Sequence, residues 1–224
     1  LYIGKIMKKI ILSIALMLCF GFNANAEKGI NAGVTVLYGA FEVDGATEKF
    51  GSGPGAAAET KASVEGDTAE GDFGLASIFV EKMFNDKFSI GLDYVPMSAE
   101  SETTENTVGT NVNKVQVDFS DLTTLYAMIN FTENVYAKAG MMTVDVETNE
   151  NLATGGAYPD TELDGVMFGV GYNRNLDNGT FVRLEGTFME FDGATVTNTN
   201  DSTKSITVDG IDGYGAKLSI GKSF

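Results

Sequence analysis

The groups able to do chemistry in this chain are carboxylates, lysines and a few arginines, because the 224 residues include no histidine. That absence removes the usual general base of serine and cysteine hydrolases, the commonest zinc ligand and the side chain that titrates near neutral pH. Where apolar residues alternate along strand-like segments, the opposite parity places six charged residues in an interior: Glu81, Asp93, Lys138, Arg183, Glu185 and Lys217. Two carboxylates of this set could in principle act as an acid and base pair, as in glycoside hydrolysis. Nothing around them marks a substrate cleft, so no catalytic residue, cofactor or metal site is assigned. Their charges balance, which is what a narrow interior shielded from water requires, since ions there must be paired. Arg183 and Glu185 lie on the segment that precedes that of Lys217, and these three form the expected pairing group.

Positioning such residues is the work of strands. Beyond residue 26 the chain shows no sustained helical apolar stripe, whereas apolar and small or polar residues alternate repeatedly. Phe88, Ile90, Leu92 and Tyr94 alternate with Ser89, Gly91 and Asp93; Val166, Phe168, Val170 and Tyr172 alternate with Gly165, Gly169, Gly171 and Asn173. The same pattern recurs in Val182, Leu184, Gly186 and Phe188 and in Tyr214, Ala216, Leu218 and Ile220. Weaker runs near 30–43, 72–84, 113–131 and 135–147 complete a set of eight. Short turns at Asn85-Asp86-Lys87, at Thr132-Glu133-Asn134 and at Asn175 to Gly179 alternate with long polar stretches at 44–71, 98–112, 148–162 and 192–207. The Asp177-Asn178-Gly179 segment is a strong hairpin signal. Short turns at one end and long connections at the other describe an all-β fold: an eight-stranded antiparallel up-and-down transmembrane β-barrel, with both termini on the short-turn side. Phe84, Phe88, Phe131, Tyr136, Tyr172 and Phe181 cluster near the short turns, where such a barrel carries an aromatic girdle, although the parity of Tyr136 points it inward.

The first 26 residues read differently. Met7-Lys8-Lys9 precedes an apolar run from Ile10 to Phe22, and Ala24-Asn25-Ala26 follows, which is the pattern of a secretory signal peptide with cleavage after Ala26. The run of about 13 residues is short of the roughly 20 that a membrane-spanning helix needs. Residues 1–6 then lie upstream of the start at Met7, and 27–224 form the barrel domain. The only cysteine, Cys19, lies inside the leader and follows Leu18 rather than a small residue, so lipidation is not expected. An exported chain without disulfides must depend on a large core or on lipid.

The last eleven residues run from Tyr214 to Phe224, with Leu218 and Ile220 on one parity and Phe224 at the end. This resembles the C-terminal signal of bacterial outer-membrane barrels, in which alternating apolar residues close on an aromatic that the barrel-assembly machinery recognises. The whole chain after the leader resembles the small eight-stranded family typified by the membrane domain of OmpA and by OmpX and OmpW. The resemblance implies an outer-membrane location, with long loops extracellular and both termini periplasmic. It also bears on catalysis, since the enzymes built on outer-membrane barrels resemble one another in using a histidine.

Charge narrows the partners. Lys+Arg is 15 against 31 Asp+Glu, a net charge of -16, which argues against nucleic acid. The acids concentrate in the long connections, among them Asp44, Glu48, Glu65, Glu102, Glu150, Asp160 and Asp201, against Lys49, Lys61 and Lys204. Solvation of the loops explains most of this, and divalent cations are a further expected partner because carboxylates suit hard ions. Outer-membrane lipid and lipopolysaccharide are the remaining expected partners. Three functions fit: a structural or surface-interaction barrel with a side-chain-filled lumen, a narrow channel for small or hydrophobic solutes, and a soluble exported barrel binding a ligand inside.

Overall fold

The computed structural model describes residues 29–43, 45–50, 59–62, 69–101, 103–108, 111–152 and 156–224, so the leader, with Cys19, lies outside the described residues. Twelve strands form in the order β1 (Ile30–Val43), β2 (Ala46–Phe50), β3 (Glu59–Ala62), β4 (Ala69–Met83), β5 (Phe88–Tyr94) and β6 (Ala99–Glu100). They continue with β7 (Thr104–Val108), β8 (Asn111–Asn130), β9 (Val135–Leu152), β10 (Thr161–Asn175), β11 (Thr180–Thr197) and β12 (Ser205–Ser223). Eight of them, β1, β4, β5, β8, β9, β10, β11 and β12, pair in that order, and β12 pairs back to β1 from Asn31↔Ser223 to Val43↔Ile211. The barrel is closed, antiparallel and up-and-down. Closure leaves no continuous edge, which is the condition for strands to cross a membrane.

Alternation decides which face is which. Val34, Val36, Tyr38, Ile78, Phe168, Val170, Leu184, Leu218 and Ile220 all point outward and are at least half exposed. The opposite parity faces the interior, where the buried charged groups Glu81, Asp93, Arg183, Glu185 and Lys217 lie. A soluble barrel would reverse this. The apolar band therefore faces lipid, and the soluble ligand-binding reading is overturned.

At the short-turn end Gly29 N–H donates to the Phe224 carbonyl at 3.0 Å, so the described termini meet there. Asn178, at φ 64°, and Gly179, at φ 75°, take left-handed conformations in the β10–β11 turn, as an Asn-Gly pair allows. Phe84, Phe88, Phe131, Tyr172 and Phe224 ring the outside of this end, at least partly exposed. Tyr136 and Phe181 do not join them. Both share the parity of the inward charges and are almost fully buried in the lumen.

Beyond the membrane-facing band the wall continues. Much of 98–112, 148–162 and 192–207 is strand rather than loop: β8 pairs with β9 from Asn113↔Leu152, and β11 with β12 up to Thr197↔Ser205. Polar β-branched pairs hold this extension, with Thr195 and Thr207 hydroxyls 2.9 Å apart, so its hydrophilic composition hid its regular structure. The β5 strand is the short stave, since Pro96 follows Tyr94-Val95 and has no N–H for a ladder. β6 and β7 then continue along β8, while β4 pairs with β5 only from Ile78 to Met83. Among the described residues, the β5-facing edge of β4 from Ala69 to Ser77 has no ladder partner.

Candidate functional site in the barrel lumen

The lumen holds two unlike regions. In the half nearer the short turns, the inward positions of β4, β5, β9, β11 and β12 bring Glu81, Asp93, Lys138, Arg183, Glu185 and Lys217 together, and all six are buried at their charged ends or nearly so. Arg183 Nη1 donates to Glu81 Oε1 at 2.7 Å, across the barrel, and its Nε donates to Asn173 Oδ1 at 3.1 Å. Asn31 Nδ2 donates to the other Glu81 oxygen at 3.1 Å. Lys138 Nζ pairs with Glu185 Oε2 at 2.8 Å, and the Tyr136 hydroxyl donates to the same oxygen at 2.9 Å. Asp93 accepts from Ser77 Oγ at 3.0 Å.

Aromatic rings seal these ions. The Arg183 guanidinium lies 4.5 Å from the centre of Phe181 and 5.6 Å from that of Tyr136, and Lys138 Nζ lies 4.6 Å from that of Tyr126. Such contacts partly replace lost hydration. Room for the rings comes from glycine. A Cβ at Gly91 would collide with the Tyr126 ring and one at Gly171 with the Tyr136 ring. Gly91, Gly171 and Gly221, whose added Cβ would meet the Phe181 ring, are thus the seats of large aromatics on neighbouring strands.

The pairing differs from the expected group of Arg183, Glu185 and Lys217. Arg183 reaches Glu81, and Glu185 takes Lys138. Lys217, 6% exposed and opposite Glu185 in register, makes no ion pair or hydrogen bond with any described residue. It borders a void of about 10 Å³ together with Ser77, Asp93 and Thr124.

In the other half the same inward parity is apolar. Phe41, Val43, Phe73, Leu75, Phe119, Leu122, Val144, Leu163, Phe191 and Ile211 surround a chamber of about 160 Å³ with an entirely apolar lining. Leu37, Tyr126, Met142, Met167 and Met189 pack beneath it. This region escaped the sequence reading; its signal was the apolar residue at every second position of 41–43, 73–75, 117–119 and 144–146. At the far end the connections 156–160 and 198–204 dock together, with Thr199 N–H donating to the Ala157 carbonyl at 2.8 Å. Nearby, burial raises the Glu150 carboxyl above its usual range, and Asp160 adds to this, while the Tyr158 N–H it accepts at 2.5 Å works against both.

Outside the wall, carboxylates gather just beyond the apolar band, often opposite one another in register: Glu42↔Asp212, Asp212↔Glu190, Asp145↔Glu162 and Asp118↔Glu147. Among the described residues no three acidic or thiol side chains converge as a metal-holding group. Of the C-terminal residues, Tyr214, Leu218, Ile220 and Phe224 all project from β12 toward the lipid side, at least half exposed.

A closed eight-stranded antiparallel barrel with an apolar outer face is the architecture of the small outer-membrane β-barrels, and this chain has that fold. No protein-family model matches the sequence, and no curated protein does. Among solved structures, the outer-membrane protein OprG of Pseudomonas aeruginosa is similar at 13% identity and a TM-score of 0.50, covering 90% of this chain and 99% of that one. Ail, the attachment invasion locus protein of Yersinia pestis, in complex with the heparin analogue sucrose octasulfate, is similar at 9% identity and a TM-score of 0.47, covering 88% and 100%. The outer-membrane protease OmpT of Escherichia coli follows at 9% identity and 0.43, covering 90% and 99%. These likenesses concern the fold.

Proposed function

We propose that this protein is a closed, non-enzymatic barrel of the bacterial outer membrane that works through its surface, with the long connections outside the cell and both termini in the periplasm. The observation that carries this reading is the plug: Glu81–Arg183 and Lys138–Glu185 span a lumen that eight strands leave little wider than its own side chains. The acidic collar outside the wall supports contact with lipopolysaccharide through divalent cations, since like-charged register partners repel unless a cation lies between them and the lipid phosphates. The C-terminal residues Tyr214, Leu218, Ile220 and Phe224 serve the assembly machinery in this account. A second reading, binding and passage of small hydrophobic solutes, is supported by the apolar chamber, lined by Phe73 and Leu75 of the β4 segment that has no β5 ladder partner among the described residues.

Epitope insertion tests the orientation. A tag near Gly109 or Gly155 is expected to be labelled on intact cells, and one at Asp177 only after the outer membrane is opened. The reverse pattern would overturn the proposal. Deleting Phe224 should lower the yield of inserted barrel while leaving export intact, and unchanged insertion would remove its assembly role.

A further inference from the structure

We propose that the apolar chamber and Lys217 form one binding site, for a small monocyclic carboxylate seated with its charged group toward the plug; this deepens the second reading above and rests on it. The chamber presents rings and branched chains, among them Phe41, Phe73, Phe119 and Leu163, and no polar group. A dry, apolar cavity of about 150 Å³ accommodates one benzene-sized ring, and this one measures about 160 Å³. Its floor adjoins a charged group, however. Leu75, Leu122 and Met189 line both the chamber and the void at Lys217, so these three side chains form the partition between them.

Lys217 is the odd member of the buried cations. Lys138 and Arg183 each hold a carboxylate at 2.8 and 2.7 Å, whereas Lys217 has no carboxylate within bonding distance although it is as deeply buried. A cation stripped of water needs a partner. Asp93 is turned to Ser77, and Glu185 gives one oxygen, Oε2, to Lys138 and Tyr136, while its Oε1 accepts no hydrogen bond from any described residue. A ligand carboxylate that displaces this partition from the chamber side reaches Lys217 at the void of about 10 Å³ and leaves its ring among the phenylalanines. Met189, unbranched and pliable, lies at the junction and can yield to the larger head group. The head-down orientation separates such a ligand from membrane lipids, whose acyl chains would enter methyl first with the head group left at the surface and would gain nothing from Lys217.

The test uses the whole barrel in lipid nanodiscs, free of alkyl detergent, with fluorine NMR of two matched probes, 4-fluorobenzoate and 4-fluorotoluene, and with empty nanodiscs subtracted. Wild-type protein should bind the carboxylate about tenfold or more tightly than the toluene, the preference expected of one charge-assisted hydrogen bond. Lys217→Gln should lose that preference and keep the toluene. Leu163→Trp, which fills the chamber, should lose both. Equal binding of the two probes by wild type, or a preference that survives in Lys217→Gln, would overturn the role of Lys217 while leaving the chamber as a solute site. Binding of neither probe would overturn the chamber reading as well. Because the wild-type comparison needs no variant, the proposal stays testable even if Lys217→Gln fails to fold.

Discussion

In the half of the lumen nearer the short turns, inward positions carry Glu81, Arg183, Lys138 and Glu185, joined at 2.7 and 2.8 Å and sealed by Phe181, Tyr136 and Tyr126. In the half nearer the long connections, the same parity carries Phe41, Phe73, Leu163 and Phe191 and leaves about 160 Å³ open. The first region is directional: each ion has a particular partner on another strand, and each ring occupies the space over a glycine. The second is held by contact alone, which tolerates an imperfect fit. A barrel of one strand number can therefore be closed at one level and hollow at another, according to which residues alternate inward.

The comparison can be broken most severely at the ion pairs. Arg183→Ala strands Glu81 in a poorly hydrated interior, and a thermal melt of the refolded barrel should show a loss of about 3–5 kcal/mol. Replacing both partners, as in Glu81→Gln with Arg183→Met, should recover most of it, since no lone charge remains. In the apolar half, Leu163→Ala should cost about 2 kcal/mol, near the low end for such truncations, because Leu163 already faces a void on one side and has fewer packing contacts to lose. Equal losses at the two sites would erase the distinction between directional and contact packing.

Smaller effects belong to the wall extension. Thr195→Ala removes the cross-strand hydroxyl contact to Thr207 and should cost about 0.5 kcal/mol, visible as faster amide exchange at 205–208 and not at 214–220. Glu150 sharpens the picture by pH. Its carboxyl is held above the ordinary value by burial, so the folded state binds the proton more tightly than the unfolded chain. The stability it contributes is present below the ordinary carboxylate value and is lost as pH rises through the raised one. Glu150→Gln keeps an acceptor for Tyr158 N–H and should leave that amide better protected than wild type at neutral pH, with the difference vanishing in acid.

These regions also differ in how far the sequence reveals them. The eight strands, their alternation and the inward placement of Asp93, Arg183 and Lys217 follow from period-two patterns, because a strand turns successive side chains to opposite faces. The partners of those ions do not follow from it. Whether Arg183 meets Glu81 or Glu185 depends on how the strands stagger around the barrel, a property of closure that no single strand encodes. The apolar chamber was hidden for another reason: 72–84 is apolar on both parities, and Phe119, Val144 and Phe191 adjoin segments whose Asp, Glu and Thr content resembles loop. Proximity to a turn misplaced Phe181 in the girdle, although its parity with Arg183 directed it inward, whereas the parity of Tyr136 with Lys138 already marked it as the inward member.

Electrical recording of the wild-type barrel in planar bilayers tests the division of the lumen most directly. With Glu81–Arg183 and Lys138–Glu185 closing the short-turn half, the reconstituted protein should show no steady conductance above the lipid baseline, and Arg183→Ala should admit cations in brief openings. A steady, large conductance in the wild type, unchanged by Arg183→Ala, would contradict the plugged lumen.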